Sequence, residues 1–397
     1  MANVLLLLTY LAVILLIGLI ISTISQKFRV PNILLLLLIG IGIGRVEYKN
    51  APLIHFPELF MISISILALV MILFDSWSRL KLKKDYFSLH ALWLSIVFLI
   101  FNFIFLTAFT MVIFDVKPIF LALIFSALMS GTDQAVVMSM FKGIKNKVSE
   151  FLGLESLLNT PLVVLIPFII LDLKEVLKDD IGIAIFIEQF APLLQQFAVG
   201  IAAGVLMGLV MFKFMRKRYS AVISPLAVVV FALLAYITAK NLGGNGVLAV
   251  ASMGLLFGAA HLNHKPQLQS FASVFSNSLG ILVFVLIGII VSIDLSANFL
   301  IKSLLLFLGY MLIRFISILF ALRGMDFSMK EKAFMSLNIQ KGIAVAVVIF
   351  SLATLGIEGI GTVLNLAIAF MVYSIILSSV VLRIAKFFIK DVREKKG

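Results

Sequence analysis

Ionisable side chains inside long apolar stretches are the first candidates for chemistry in this sequence. There are five of them, namely Asp75, Asp133, Glu155, Arg314 and Lys341. A charge in such surroundings is costly, and it is rare unless it is paired or functional. Asp133 lies within SGTDQAVVMSMF. A carboxylic acid in apolar surroundings holds its proton tightly, whereas a nearby cation favours its release. The apolar surroundings of Asp133 therefore predict a site at which a proton and a metal cation compete.

A second group of polar side chains lies in GLESLLNTPLVVLIP. Ser156, Asn159 and Thr160 follow the i, i+3, i+4 spacing that places side chains on one helical face. Their neutral oxygens suit a hard cation, and ordinary hydrogen bonding between helices is the alternative. Glu155 and Arg314 have opposite signs, and we interpret them as a structural, buried ion pair. Asp75 ends an apolar stretch beside a basic loop, so it is either a further cation ligand or an interfacial carboxylate.

The elements that carry these residues are predicted to be membrane-spanning helices. Of the 397 residues, 62% are hydrophobic and 13% are charged, whereas globular domains have about 45–50% and about 25%. Apolar stretches long enough to cross a bilayer recur along the chain. We predict an all-α polytopic membrane protein, one transmembrane domain over residues 1–397, with about 13 helices near residues 3–22, 31–44, 57–77, 88–114, 118–141, 150–171, 190–212, 221–240, 245–262, 272–292, 297–322, 332–353 and 360–388.

Basic residues predict how these helices are oriented. When the loops are assigned alternately to two faces, 23 of the 32 Lys and Arg residues fall on one face and seven on the other. Cytoplasmic loops carry the excess of Lys and Arg. This places the N-terminus outside and the C-terminus in the cytoplasm, in the cell membrane. The net charge of +13 therefore indicates membrane topology and no nucleic-acid partner.

An internal repeat relates the two halves of the chain. PNILLLLLIGIGIG in the second segment is similar to NGVLAVASMGLLFG in the ninth, and SGTDQAVVMSMF in the fifth corresponds to NIQKGIAVAVVIF in the twelfth. The third and tenth segments match at the same offset of seven helices, and an odd offset inverts the second copy, as in secondary transporters. We predict one six-helix inverted repeat over residues 1–171, a linker helix over 172–220 and a second repeat over 221–390.

Small and polar residues inside the fifth and twelfth segments predict two broken helices that cross. Breaks of this kind occur where the freed backbone groups line a cavity. Half-helix ends carry partial charges, positive at N-termini and negative at C-termini. Asp133 can balance the positive ends and Lys341 the negative ends, although a direct part for Lys341 in gating is an equal alternative.

Several classes of function are not expected. The chain has no cysteine, which excludes disulfides and thiolate metal sites. It has no GxxxxGK[ST] loop, and we find no arrangement of a nucleophile with a base. We therefore expect no cofactor and no enzymatic activity, and transport would be driven by an ion gradient.

The motifs GTDQAVV, GLESLLN, ILFD, IRF and QKGIAVAV resemble those of the monovalent cation/proton antiporter superfamily, the prokaryotic sodium/proton exchangers, over nearly the whole chain. The resemblance implies that Thr132 and Asp133 belong to the first broken helix and that Lys341 stands at the second. It also implies that Glu155 pairs with Arg314, that the protein works by alternating access, and that it forms a homodimer.

This sequence departs from the family pattern at functional positions. The family has Asn-Asp where this chain has Asn159-Thr160, a proline where it has Gln134, and often a glutamate where it has Asp75. Two interpretations follow. Either Asp133, assisted by Asp75, binds the ion, or the protein no longer exchanges protons in the family manner.

The function predicted from these observations is exchange of a monovalent cation, Na⁺ or K⁺, for H⁺ across the lipid bilayer. Asp133 is the predicted ligand for cation and proton. Neutral oxygens from Thr132, Ser156, Asn159 and Thr160 are predicted to complete the site. The alternatives are a gated cation channel or efflux pathway on the same fold and a membrane sensor that does not transport.

Overall fold

The computed structural model describes residues 2–28, 32–48, 51–52, 54, 56–80, 86–132, 147–176, 183–215, 220–262, 264–291 and 294–388. Within these residues almost all regular structure is helical. The helices are α1 Ala2–Phe28, α2 Asn32–Gly44, α3 Glu58–Ser78, α4 Tyr86–Phe101, α5 Thr107–Phe114, α6 Ile119–Met129, α7 Lys147–Val176, α8 Ile183–Met215, α9 Ile223–Asn241, α10 Gly246–Ala259, α11 Lys265–Ile290, α12 Ala297–Ala321, α13 Met329–Leu337, α14 Ile343–Ala353, α15 Ile360–Arg383 and α16 Ala385–Phe388.

The predicted all-helical membrane fold is confirmed. Over the described ranges, nine helices are long and apolar enough to cross a membrane, and four shorter apolar helices accompany them. Each of the thirteen predicted segments overlaps one of these helices. The short ones are α2, α6, α10 and α14.

The structure differs from the predicted elements in three details. A two-stranded antiparallel ribbon, β1 Glu47–Tyr48 with β2 Ala51–Pro52, interrupts the otherwise helical chain. A π-helix at Asn102–Leu106 joins α4 to α5 inside the fourth segment. Helix α7 continues to Val176, so the first residues assigned to the linker belong to the preceding helix. A long apolar sequence predicts the presence of a helix better than its ends.

The chain divides into two compact units. The first comprises Met1–Ser65, Lys84–Thr160 and Leu279–Gly397, and the second comprises Ile66–Lys83 and Pro161–Ser278. Three of the four borders fall inside α3, α7 and α11, so they do not follow the predicted repeat boundaries. The inverted repeats stay a prediction.

Two short helices form the centre of the first unit. Eight of the eleven residues of α6 are buried, as are nine of the eleven residues of α14. A helix of this length extends about 16 Å, about half the hydrocarbon thickness of a bilayer. Both helices are therefore half-length elements that end inside the protein, next to segments without helical structure.

Small residues hold the second unit together. A Cβ at Gly200 of α8 would lie 2.7 Å from the backbone oxygen of Asn245, so only glycine permits this approach. Asn245 also caps α10, because its side-chain oxygen accepts a hydrogen bond from Leu248 N at 2.7 Å. In the same unit, the rings of Phe74 and Phe257 lie 5.3 Å apart.

Candidate functional site

Both predicted helix breaks begin in the described part of the chain. Helix α6 ends at Met129, and Gly131 and Thr132 are not helical. The remaining residues of the first break, including Asp133 and Gln134, lie outside the described residues. The second break is described in full, because residues 338–342 separate α13 from α14 without helical structure. The twelfth segment is thus a broken helix and not a continuous one.

Lys341 connects the second break to the first. Its ammonium donates hydrogen bonds to Met129 O at 2.7 Å and to Gly131 O at 2.5 Å. A third hydrogen bond goes to the hydroxyl of Tyr310 at 2.7 Å. The Lys341 residue is 0% exposed, so these three acceptors replace water around its charge.

Of the two carbonyls that Lys341 contacts, Met129 O is the last of helix α6 and Gly131 O follows two residues later. The last four carbonyls of an α-helix have no partner within the helix, and this end carries a partial negative charge. The ammonium therefore lies where the first half-helix is most negative. This is the position that the charge-balance hypothesis requires of Lys341.

Thr132 is the residue at which the first break meets α7. Its backbone oxygen accepts hydrogen bonds from Ser156 Oγ at 2.9 Å and from Thr160 Oγ1 at 3.1 Å. Asn159 contacts both ends of the residue, because its Nδ2 donates to Thr132 Oγ1 at 3.0 Å and its Oδ1 accepts from Thr132 N at 3.3 Å.

The oxygen-bearing side chains that the sequence predicted to act together do meet, and one face of α7 supplies three of them. Thr132, Ser156 and Asn159 are buried, and Thr160 is half-buried. Four side chains and one backbone carbonyl form a compact group of oxygens around Thr132, the residue that precedes Asp133 in the chain. This arrangement fixes both the N–H and the C=O of Thr132, so it holds the backbone at this residue in one orientation.

Glu155 and Arg314 form a contact between α7 and α12. The two oxygen–nitrogen distances, Nη2 to Oε2 and Nη1 to Oε1, are both 2.6 Å. Only the first is aligned as a hydrogen bond. Neither side chain is exposed, and the guanidinium carbon lies 4.6 Å from the centroid of the Phe98 ring. The geometry fits an ion pair that joins two helices.

Asp75 lies in the second unit and has other partners. Arg79 Nε donates to its Oδ1 at 2.8 Å, and Ser273 Oγ is 2.8 Å from both carboxylate oxygens. Arg79 is partly exposed, with 35% of its side-chain surface accessible, and it also donates to Gln269 O at 2.8 Å. Asp75 is therefore in a network of its own, and the oxygen group around Thr132 belongs to the first unit.

Two residues near the breaks were missed by the sequence analysis. Tyr310 precedes Arg314 by one helical turn, so the i, i+4 spacing could have identified it. Asn102 opens the π-helix and donates to Ser130 Oγ at 3.0 Å, at the end of α6. Its only signal was an amide within the apolar run FNFIFL.

Comparison with known proteins supports the family resemblance. The family model described as "Sodium/hydrogen exchanger, transmembrane" matches residues 11–386. The chain belongs to this family. The exchanger is 28% identical to the probable Na⁺/H⁺ antiporter 2 of Methanocaldococcus jannaschii over 331 residues, which cover 78% of this chain and 75% of that protein.

Further relatives of this exchanger have the same kind of name. Na⁺/H⁺ antiporter 1 of Methanocaldococcus jannaschii is 26% identical over 378 residues, 88% of this chain and 83% of that protein. The K⁺/H⁺ antiporter NhaP2 of a Shewanella species is 24% identical over 61% of this chain and 42% of that protein. The solved structure of the sodium proton antiporter MjNhaP1 at pH 8 matches with a TM-score of 0.75 and 23% identity, over 97% of this chain and 99% of that one. It shares the fold of this exchanger.

Proposed function

We propose that this exchanger moves a monovalent cation across the membrane in exchange for protons by alternating access. The observation that carries the proposal is the meeting of two helix breaks through Lys341, whose ammonium contacts Met129 O and Gly131 O. A site of this kind, near the midplane and between half-helices, is the arrangement that secondary transporters use for coupling ions.

The ligand proposed for both ions is the carboxylate of Asp133. It directly follows Thr132, whose hydrogen bonds to Ser156, Asn159 and Thr160 gather neutral oxygens beside the break. A hard cation prefers oxygen ligands. When the cation binds the carboxylate, the proton leaves, and when the cation departs, a proton replaces it. The two ions then share one ligand and cannot bind together.

The cation proposed is Na⁺ or K⁺. Relatives of this chain are named as Na⁺/H⁺ antiporters and as K⁺/H⁺ antiporters, so the names support a monovalent cation of either kind. Because Thr160 stands at the position of the second acid in the family motif, one carboxylate serves both ions. This favours exchange of one cation for one proton.

The remaining predicted residues have supporting roles in the proposal. Lys341 balances the negative end of α6, and the Glu155–Arg314 pair holds α7 against α12. A part for Asp75 in cation binding stays a prediction, and its salt bridge with Arg79 favours the interfacial alternative. The homodimer and the orientation with a cytoplasmic C-terminus also stay predictions.

The test is ion-driven proton movement in proteoliposomes with a pH-sensitive dye inside. Pulses of Na⁺ or K⁺ are expected to release protons with the wild type and to release at least about tenfold fewer with Asp133→Asn, because an amide cannot exchange a proton. The matched control is Asp115→Asn, since Asp115 is an exposed loop carboxylate in the left-handed conformation that asparagine tolerates.

Three results would contradict the proposal. Undiminished exchange by Asp133→Asn would remove the assignment of that residue. Cation flux that dissipates a gradient without proton counter-movement would indicate the channel. Wild-type vesicles that move neither ion would favour the sensor.

A further inference from the structure

Tyr310 occupies a position that the proposed exchange mechanism has not used. It lies in α12 and is 0% exposed. Its ring is packed among Phe98, Phe307 and Phe370, at centroid distances of 5.7, 5.9 and 5.6 Å. Each of these three rings packs against the tyrosine ring. Its hydroxyl is therefore held in a fixed direction.

That hydroxyl completes the surroundings of Lys341. An ammonium has three N–H donors, and among the described residues Lys341 has three acceptors, which are the two backbone carbonyls of the first break and Tyr310 OH. Of these three acceptors, only the hydroxyl of Tyr310 belongs to a side chain. It is also the only one that a substitution can remove without altering the backbone.

The contact is made through the hydroxyl and not through the face of the ring. Lys341 Nζ lies 2.7 Å from the Tyr310 oxygen and 5.0 Å from the ring centroid. These two distances place the ammonium beyond the edge of the Tyr310 ring that carries the hydroxyl. A phenylalanine at this position would keep the packing of the ring but would not replace the hydrogen bond.

We propose that Tyr310 is a positioning residue for Lys341, which holds the ammonium on the carbonyl end of the first half-helix throughout exchange. The inference rests on the proposed function and extends it to a residue outside the motifs of the family resemblance. The backbone N–H of Lys341 donates to Ser374 Oγ at 3.3 Å, so the main chain is fixed separately. Tyr310 fixes the far end of the side chain.

The neighbouring charges determine what loss of the hydroxyl does. Over the described ranges, Lys341 interacts electrostatically with Arg314 of α12 and Glu155 of α7, and Tyr310 is its titratable hydrogen-bond partner. Tyr310→Phe leaves this ion pair in place and removes one acceptor from the ammonium. The ammonium then has one hydrogen bond fewer, so its charge is held less firmly at the end of the first half-helix and the charge balance at the break is weaker.

The first test compares Tyr310→Phe with Tyr373→Phe in the proteoliposome assay across pH. Tyr373 is a matched control, because its hydroxyl is 2.9 Å from Ser303 Oγ and its ring packs on Phe307 at 5.5 Å. For Tyr310→Phe the alkaline limb of the exchange profile is expected to move to lower pH by about one unit. For Tyr373→Phe the alkaline limb is expected to stay within about 0.3 pH unit of that of the wild type, because the Tyr373 hydroxyl does not contact Lys341.

Equal profiles for the two variants would overturn the inference, provided that the wild type exchanges ions. Absence of exchange by the wild type would instead count against the proposed function, so the two failures are distinguishable. The shift in pH separates positioning from a purely structural role, since a variant that is only less stable loses activity at every pH alike.

A second measurement keeps the inference testable if Tyr310→Phe is too unstable for transport. Thermal unfolding in detergent is compared for Tyr310→Phe, Lys341→Met and the double variant. If the hydroxyl acts through the ammonium, Tyr310→Phe lowers Tm in the wild type and has less than about half that effect beside Lys341→Met. The same loss of Tm in both backgrounds would show that the hydroxyl serves something other than Lys341.

Discussion

Glu155 and Arg314 carry opposite charges on side chains without exposed surface, so each depends on the other for its stability. Removing two ions from water costs more than a single contact returns, and the remaining hydrogen bonds decide the balance. Here only one of the two short contacts is aligned as a hydrogen bond, and Arg314 Nε has no acceptor among the described residues. The pair therefore holds α7 to α12 in one register and contributes little net stability.

The cost of a buried charge without a partner predicts a particular order of stability for variants of the pair. Arg314→Met leaves Glu155 buried and unpaired, and we expect it to lower the free energy of unfolding by about 3–5 kcal/mol. Glu155→Leu combined with Arg314→Met removes both charges and is expected to be the more stable variant. Thermal unfolding in detergent measures the order. A double variant that is as unstable as the two single effects added together would contradict it.

The close contact of helix α2 with helix α11 depends on which glycines of α2 face α11. Three glycines end α2, and in the first unit a Cβ at Gly44 would lie 2.7 Å from Ile289 O of α11, whereas a Cβ at Gly42 would meet nothing within 4 Å. Gly40 likewise faces Val285 and Gly288. The i, i+4 spacing puts Gly40 and Gly44 on one face and Gly42 on another.

Substitutions within this single helix test the contact. Gly40→Ala places a methyl group against the backbone of α11, so the helices must separate, and we expect a loss of about 1–3 kcal/mol. Gly42→Ala is the matched control, and it is expected to be neutral or stabilising by up to about 1 kcal/mol because alanine favours a helix. Thermal unfolding compares them. Equal stability of the two variants would mean that α2 does not approach α11 closely.

Across the chain, the sequence predicted features that depend on local hydropathy and missed features that depend on contacts between distant residues. Apolar length identified the thirteen segments, and small polar residues located the interruption between α13 and α14. Spacing placed Ser156, Asn159 and Thr160 on one face, but it could not indicate that their partner is Thr132. Tyr310 and Asn102 looked like ordinary members of apolar helices. Their importance comes from Lys341 and Ser130, which are 31 and 28 residues away.

The distribution of basic residues predicts the orientation of the whole chain in the membrane. Lys240 and Arg323 are exposed and are separated by the ninth, tenth and eleventh segments, so an odd number of crossings puts them on opposite sides. The chain has no cysteine, so single cysteines introduced there report unambiguously. In intact cells a membrane-impermeant maleimide should label Lys240→Cys and leave Arg323→Cys unlabelled until permeabilisation. The reverse pattern would invert the predicted topology. Labelling of both sites from outside would mean that an even number of crossings separates them, which contradicts the odd offset on which the inverted repeat depends.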